Sequence, residues 1–225
     1  MSNTVPERIR ANERKRALPK LRQALHLARM LGELMPDEPE VGGLLALLLL
    51  SHARRSTRVD DQGRLLRLRE QDRSRWDRSA IEQARELVTA GLRDGRAGRY
   101  LLQAAIALLY VAAPAYDETD WAQILGLYDQ LLRVWPSPVV ALNRTVALAE
   151  VHGPEAALAE VEALEKDARL AGYQYLPAIK ADLLSRLGRA EAATVAYQQA
   201  LELTTNAVER AFLAQRLGRR GPASP

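Results

Sequence analysis

Side chains that commonly do chemistry are sparse in this chain. Its three histidines, His26, His52 and His152, form no i, i+4 pair of the kind that grips a metal from one helix face. With no cysteine there is neither a thiolate site nor a disulfide framework, and the cytoplasm is the simplest compartment. No Gly-x-Ser-x-Gly elbow presents a serine nucleophile. The glycine pair Gly42-Gly43 opens an apolar helix with no Lys-Ser/Thr behind it, so it is not a phosphate loop. The expectation is a protein that is not an enzyme and needs no cofactor or metal.

The chemistry that remains is recognition. In Gln71-Asp72-Arg73-Ser74-Arg75-Trp76-Asp77 a tryptophan is flanked by arginines and aspartates. Such a ring, with ion-pair partners, either anchors a loop onto helices or forms an exposed hot spot, so Arg73 and Trp76 are candidate partner contacts. Asn143 and Arg144 follow Pro138 near the start of a helix and are candidates for holding a peptide backbone or carboxylate, against the plainer reading of a surface pair. In Thr119-Asp120-Trp121, Thr119 or Asp120 can cap a helix that carries Ile124, Leu127, Tyr128 and Leu131 on one face.

These residues need a scaffold, and the scaffold is helical. Leu and Ala dominate, one Phe occurs, and no Val/Ile/Thr run alternates long enough to make a strand. Residues 176–206, LPAIKADLLSRLGRAEAATVAYQQALELTTN, place small Ala181, Ala193 and Ala200 and large Leu184 and Tyr197 where a tetratricopeptide helix pair needs them. Gly188 sits at the turn between the two helices. Pro177 stands where the pattern has Trp, and Thr205 where it has a closing Pro. Tyr128 lies 69 residues before Tyr197, two periods of about 34. Between them Gly153-Pro154 marks a helix end followed by a new first turn. Near the start, one helix is expected to end at Pro36 and another to begin after Pro39. The fold class is therefore all-α: tetratricopeptide-like antiparallel helix pairs in a short solenoid.

One stretch interrupts the helices. Residues 54–78 begin with the turn-prone Asp60-Asp61-Gln62-Gly63 and then mix charge with apolar residues, which predicts a loop or small hairpin near 56–75 with Val59, Leu65 and Leu66 packed inward. The helix after it should start near Ser79, capped by that serine with Glu82 three residues on.

Net charge is +4, but residues 1–29 hold eight basic and two acidic side chains, which leaves the rest at −2. The body is thus no polyanion binder by bulk charge, and direct DNA binding is not expected of it. The basic segment is read as a solvated arm, with phosphate contact as the sharper alternative. The longest apolar run, Leu44 to Leu50, is 7 residues, against roughly 20 for a membrane span.

Taken in order, LMPDEPEVGGLLALLLLSHARRSTRVDDQGRL, EQDRSRWDR, YLLQAAIALLYVAAP, TDWAQILGLYDQLL, SPVVALNRTVALAEVHGPEAAL and the final repeat resemble the C-terminal extension of one group of bacterial extracytoplasmic-function sigma factors, from about Leu27 to Leu217. With 26 residues ahead of Leu27, the polymerase-binding and promoter-reading regions of that family are expected to be absent. The resemblance implies a protein-binding regulatory domain that modulates transcription initiation, with the sigma core or RNA polymerase as its protein partner. A stand-alone tetratricopeptide adaptor is the alternative. The expected organisation is a basic arm or helix at 1–26, a helical domain at 27–217 and a disordered tail at 218–225.

Overall fold

The structure is a computed structural model that describes the backbone of residues 5–93 and 95–218, with side chains from residue 20 onward. The expected tail beyond Gly218 lies outside the described residues. The chain divides into two compact units, Met1–Asp120 and Trp121–Pro225.

In the first unit, α1 (Val5–Leu34) and α2 (Pro39–Ala53) are joined by a short turn at Met35–Glu38, followed by α3 (Arg78–Arg93) and α4 (Arg99–Ala112). The first helix ends at Leu34, short of the expected Pro36: the Met35 N–H still bonds Leu31 C=O, but Pro36 has no N–H to continue the ladder and the chain turns. Helix α2 starts on Pro39, whose fixed φ and missing N–H suit a first turn. Apolar around most of its circumference, it packs against α1, α3 and α4 and buries Leu45, Ala46, Leu49, Leu50 and Ala53.

Two glycines and one glutamate fix how α2 meets α4. A Cβ on Gly43 would stand 2.5 Å from the Leu101 nitrogen and 2.6 Å from its Cα, so the helices can touch there only through a glycine. One turn earlier, the Glu40 carboxylate accepts from the N–H groups of Tyr100 (2.9 Å) and Leu101 (3.0 Å). The residue before helix α4, Gly98, has no side chain to cap it, and Glu40 does that work from another helix.

Between α2 and α3 the expected small hairpin is reduced to one antiparallel bridge, Val59 with Leu65, closed by Leu66 N–H to Arg58 C=O (2.9 Å). Asp60 holds the turn, its Oδ1 accepting from the backbone of Gln62 (2.9 Å) and Arg64 (2.8 Å). Val59, Leu65 and Leu66 are only half-buried. The buried side chains of this segment are Thr57, Gln71 and Trp76. Helix α3 is capped by Asp77, whose carboxylate accepts from Ala80 N–H (3.0 Å), and not by Ser79. Asp77 is positioned for this because its own N–H bonds the last α2 carbonyl, Ala53, at 3.2 Å.

The second unit runs α5 (Trp121–Val134), α6 (Pro138–Val151), α7 (Pro154–Leu164), α8 (Tyr175–Arg186), α9 (Ala190–Leu203) and α10 (Ala207–Gly218), each helix packed on the next. Helices α5, α7 and α9 start 33 and 36 residues apart, the spacing that separates Tyr128 from Tyr197. Ala147, Ala157, Ala181, Ala193 and Ala200 are wholly buried, and Tyr197 is 2% exposed. Small residues thus lie where helix backbones approach and the large ring fills the gap, as the sequence predicts. Gly188 has φ +72° and closes α8 with Arg189 N–H on Leu184 C=O (2.9 Å) and its own N–H on Ser185 C=O (3.2 Å). Gly153, φ +88°, turns the chain before Pro154. Asn206 caps α10 by accepting from Val208 (2.9 Å) and Glu209 (3.2 Å). Trp121 is only half-buried, and the Thr119 hydroxyl is buried with no partner among the described residues, so it does not act as a cap.

Candidate functional site

Trp76 is the centre of the loop between α2 and α3. Its ring is 3% exposed and its Nε1–H donates to Thr57 Oγ1 at 2.8 Å. The Arg73 and Arg54 guanidinium groups lie 4.8 and 5.6 Å from its ring centroid. Arg73 Nη1 also donates to the carbonyls of Tyr110 (2.9 Å) and Ala113 (2.7 Å), at the C-terminal end of α4 where carbonyls lack helical partners. Gln71 completes the cluster: its Oε1 accepts from Arg54 Nε and Nη2, both at 3.3 Å, and its Nε2 donates to Leu66 C=O at 3.0 Å. Burial, then the nearby Arg58 and Arg73, brings the Arg54 guanidinium down to about 10.

This geometry decides between the two readings of Trp76. The ring is the anchor of the loop, because no face of it is left for a partner, and Arg73 is committed to α4. The expected ion pairs with the flanking aspartates do not form. Asp72 caps its own turn through Ser74 N–H (3.0 Å), and Asp77 caps α3. The tryptophan is held by two cations and a hydroxyl instead. Gln71 opens this cluster in the sequence, but nothing in its neighbours marks a glutamine for burial.

Arg144 lies on α6 between two helices. Its Nε donates to Asp129 on α5 at 2.6 Å and its Nη1 to Glu160 on α7 at 2.8 Å. Burial opposes the charge, yet these bonds outweigh it and raise the guanidinium pKa. Arg144 therefore ties three helices together, and neighbouring Asn143 is the exposed member of the pair.

A surface absent from the sequence-based candidates lies on α1. Leu27, Met30, Leu31 and Leu34 follow the i, i+3, i+4, i+7 rule of one helix face, and with Met35 they are exposed by 40% or more, Leu34 by 76%. The opposite face, Leu25 and Ala28, is buried. The periodicity was legible, but an apolar helix stripe ordinarily signals core, and only the packing shows which stripe is covered.

Comparison with known proteins places these features. Residues 10–92 match the model of a family of unknown function, DUF6596; the match takes in the α1 stripe, the Glu40 cap and the Trp76 loop. An uncharacterized protein of Rhizobium meliloti (strain 1021) is 46% identical over 195 residues, 87% of this chain and 46% of that protein. The chain thus spans about half the length of the curated relative it matches. A crystal structure of a thermophilic TPR protein from Thermus thermophilus superposes with a TM-score of 0.58 at 21% identity, covering 94% of this chain and 95% of that one. That likeness shows the fold: the chain is a tetratricopeptide-like all-helical protein. Folds of this kind generally serve as protein-interaction modules. Among the described residues no helix is long and apolar enough to cross a membrane, and no group of three or more His, Asp or Glu could hold a metal ion.

Proposed function

We propose that this chain is the protein-binding regulatory region of a sigma-factor-like protein of the bacterial cytoplasm, modulating transcription initiation through contacts with the sigma core or RNA polymerase. The observation that carries the binding role is the exposed apolar stripe on α1. A contiguous apolar surface left uncovered on a folded domain marks an interaction site, and a helix face with this spacing fits a groove on a partner. The sigma-like part of the reading rests on the ordered motifs from Leu27 to Leu217, taken as one functional region behind a basic segment at 1–26. More than half of the Rhizobium relative lies outside the matched span, room enough for polymerase-binding and promoter-reading regions. Asn143, on the exposed side of α6, is proposed as a secondary contact positioned by Arg144. Arg73 and Trp76 support binding only by holding the loop.

The test is binding of the purified chain to purified RNA polymerase core and to the two core regions of an extracytoplasmic-function sigma factor, measured by interferometry. Saturable binding to either, weakened at least tenfold by Leu31→Glu with Leu34→Glu at unchanged melting temperature, is expected. No binding to either would overturn the sigma-related reading and leave an adaptor of other proteins.

A further inference from the structure

Beside Leu25, α1 carries Arg22 and Arg29, whose side chains are exposed at the mouth of a cleft against α2. Arg22 and Arg29 line a cavity of about 460 Å³ together with His52 of α2, Arg55 just beyond it, and Asp77 at the entry to α3. This volume is in the range of small-molecule sites. Three arginines converge on it against a single carboxylate, and none of the three makes an ion pair with a described residue. The carboxylate, Asp77, is already occupied at Oδ1 by Ala80 N–H.

His52 adds a second observation. Its Nδ1 is buried and has no hydrogen-bond partner among the described residues. Burial, followed by the positive charge of Arg55, lowers the His52 pKa against the opposing pull of Asp77. The start of α3 contributes the positive end of a helix dipole on the same wall.

We propose that this cavity binds a small phosphate monoester that carries hydroxyl groups, such as a sugar phosphate. Arg22, Arg29 and Arg55 surround the phosphate, whose oxygens suit the fork of guanidinium N–H groups. His52 donates to it or to a ligand hydroxyl. Asp77, an acid on an otherwise cationic wall, selects for a ligand that offers a hydroxyl donor on carbon, set apart from its phosphate, whereas the only hydroxyl of inorganic phosphate is on the phosphorus that the arginines hold. Because α1 carries the apolar stripe on its other face, the ligand would bear on the same helix that the proposed partner meets; the site itself does not depend on that partner.

The experiment is a thermal-shift and calorimetric titration of the full chain with ribose 5-phosphate, inorganic phosphate and ribose, at ionic strength held constant with sodium chloride. Expected is saturable binding of ribose 5-phosphate, at least tenfold tighter than inorganic phosphate, with ribose inert. Arg55→Ser and the double variant Arg22→Ser, Arg29→Ser should each weaken it tenfold or more. Arg64→Ser, an exposed arginine outside the cavity, should leave it unchanged. A preference for Asp77 as hydroxyl acceptor predicts that Asp77→Asn narrows the gap between ribose 5-phosphate and inorganic phosphate. Equal response to all anions and to Arg64→Ser would overturn the site as non-specific screening. So would tight binding of a single-stranded oligonucleotide with no saturable ribose 5-phosphate binding, which would assign the arginines to a nucleic-acid backbone. Partner binding plays no part in these readouts, so failure here leaves the sigma-related reading standing, and the reverse.

Discussion

The two units are each stabilised by different means. In Trp121–Pro225 the contacts are regular: alanines at helix crossings, Tyr197 in the gap, glycine turns at Gly153 and Gly188, and ion pairs such as Arg144 with Asp129 and Glu160 near the surface. In Met1–Asp120 the decisive contacts are singular and polar: Glu40 on the start of α4, Gly43 against Leu101, and Trp76 between two arginines. A repeat spreads its stability over many equivalent interfaces, so each is modest and the pattern is periodic. A one-off clamp concentrates it in a few groups that no periodicity announces.

That difference can be broken residue by residue. The largest loss is expected from Trp76→Ala, about 3–5 kcal/mol, because a buried ring leaves a cavity and strands both arginines and Thr57. Tyr197→Ala should cost a similar amount in the other unit. Chemical denaturation of both variants checks this, and a Trp76→Ala loss below about 1 kcal/mol would remove the ring from its anchoring role. Gly43→Ala comes next, at about 1–3 kcal/mol, since its methyl would meet backbone atoms that cannot rotate away. An alanine tolerated there without change in melting temperature would show that α2 and α4 can separate freely.

Glu40→Ala should cost about 1–2 kcal/mol and leave Tyr100 and Leu101 N–H groups without acceptors. Hydrogen exchange sharpens this: those two amides should exchange faster while the amides of α9 keep their rates. Protection unchanged at both would mean another acceptor replaces the carboxylate. The smallest effect belongs to the repeat surface. Arg144→Ala should lower stability by only about 0.2–1 kcal/mol, as half-exposed ion pairs do, and Asn143→Ala by less. Unchanged partner affinity in Asn143→Ala would take α6 out of the binding face.

Sequence was most informative where neighbours repeat one another. Ala181, Ala193, Ala200 and Tyr197 fall where the tetratricopeptide pattern puts its packing residues, and Gly188 and Gly153 mark its turns, because helix geometry converts spacing directly into which side faces the next helix. The loop was harder. Asp60-Asp61-Gln62-Gly63 marked a turn, yet Val59, Leu65 and Leu66 are not the residues that seat it, and Asp77 rather than Ser79 caps α3. Either residue type can cap a helix; the choice was made by the Asp77 N–H meeting Ala53 on α2, a contact between elements. The Glu40 cap of α4 and the position of Gly43 were invisible for the same reason, with some sixty residues separating the partners.

By itself, then, the amino-acid sequence determined helix content, the absence of a sustained strand pattern, the repeat period and the small-residue faces, all of which depend on residues within a few turns of one another. Tertiary structure alone decided which apolar stripe of α1 stays uncovered, that Trp76 is enclosed while Asn143 faces solvent, and that Arg22, Arg29, His52 and Arg55 share one cavity. Exposure and convergence are properties of how helices pack across long stretches of chain, and the free energies that set them come from contacts that local pattern does not encode.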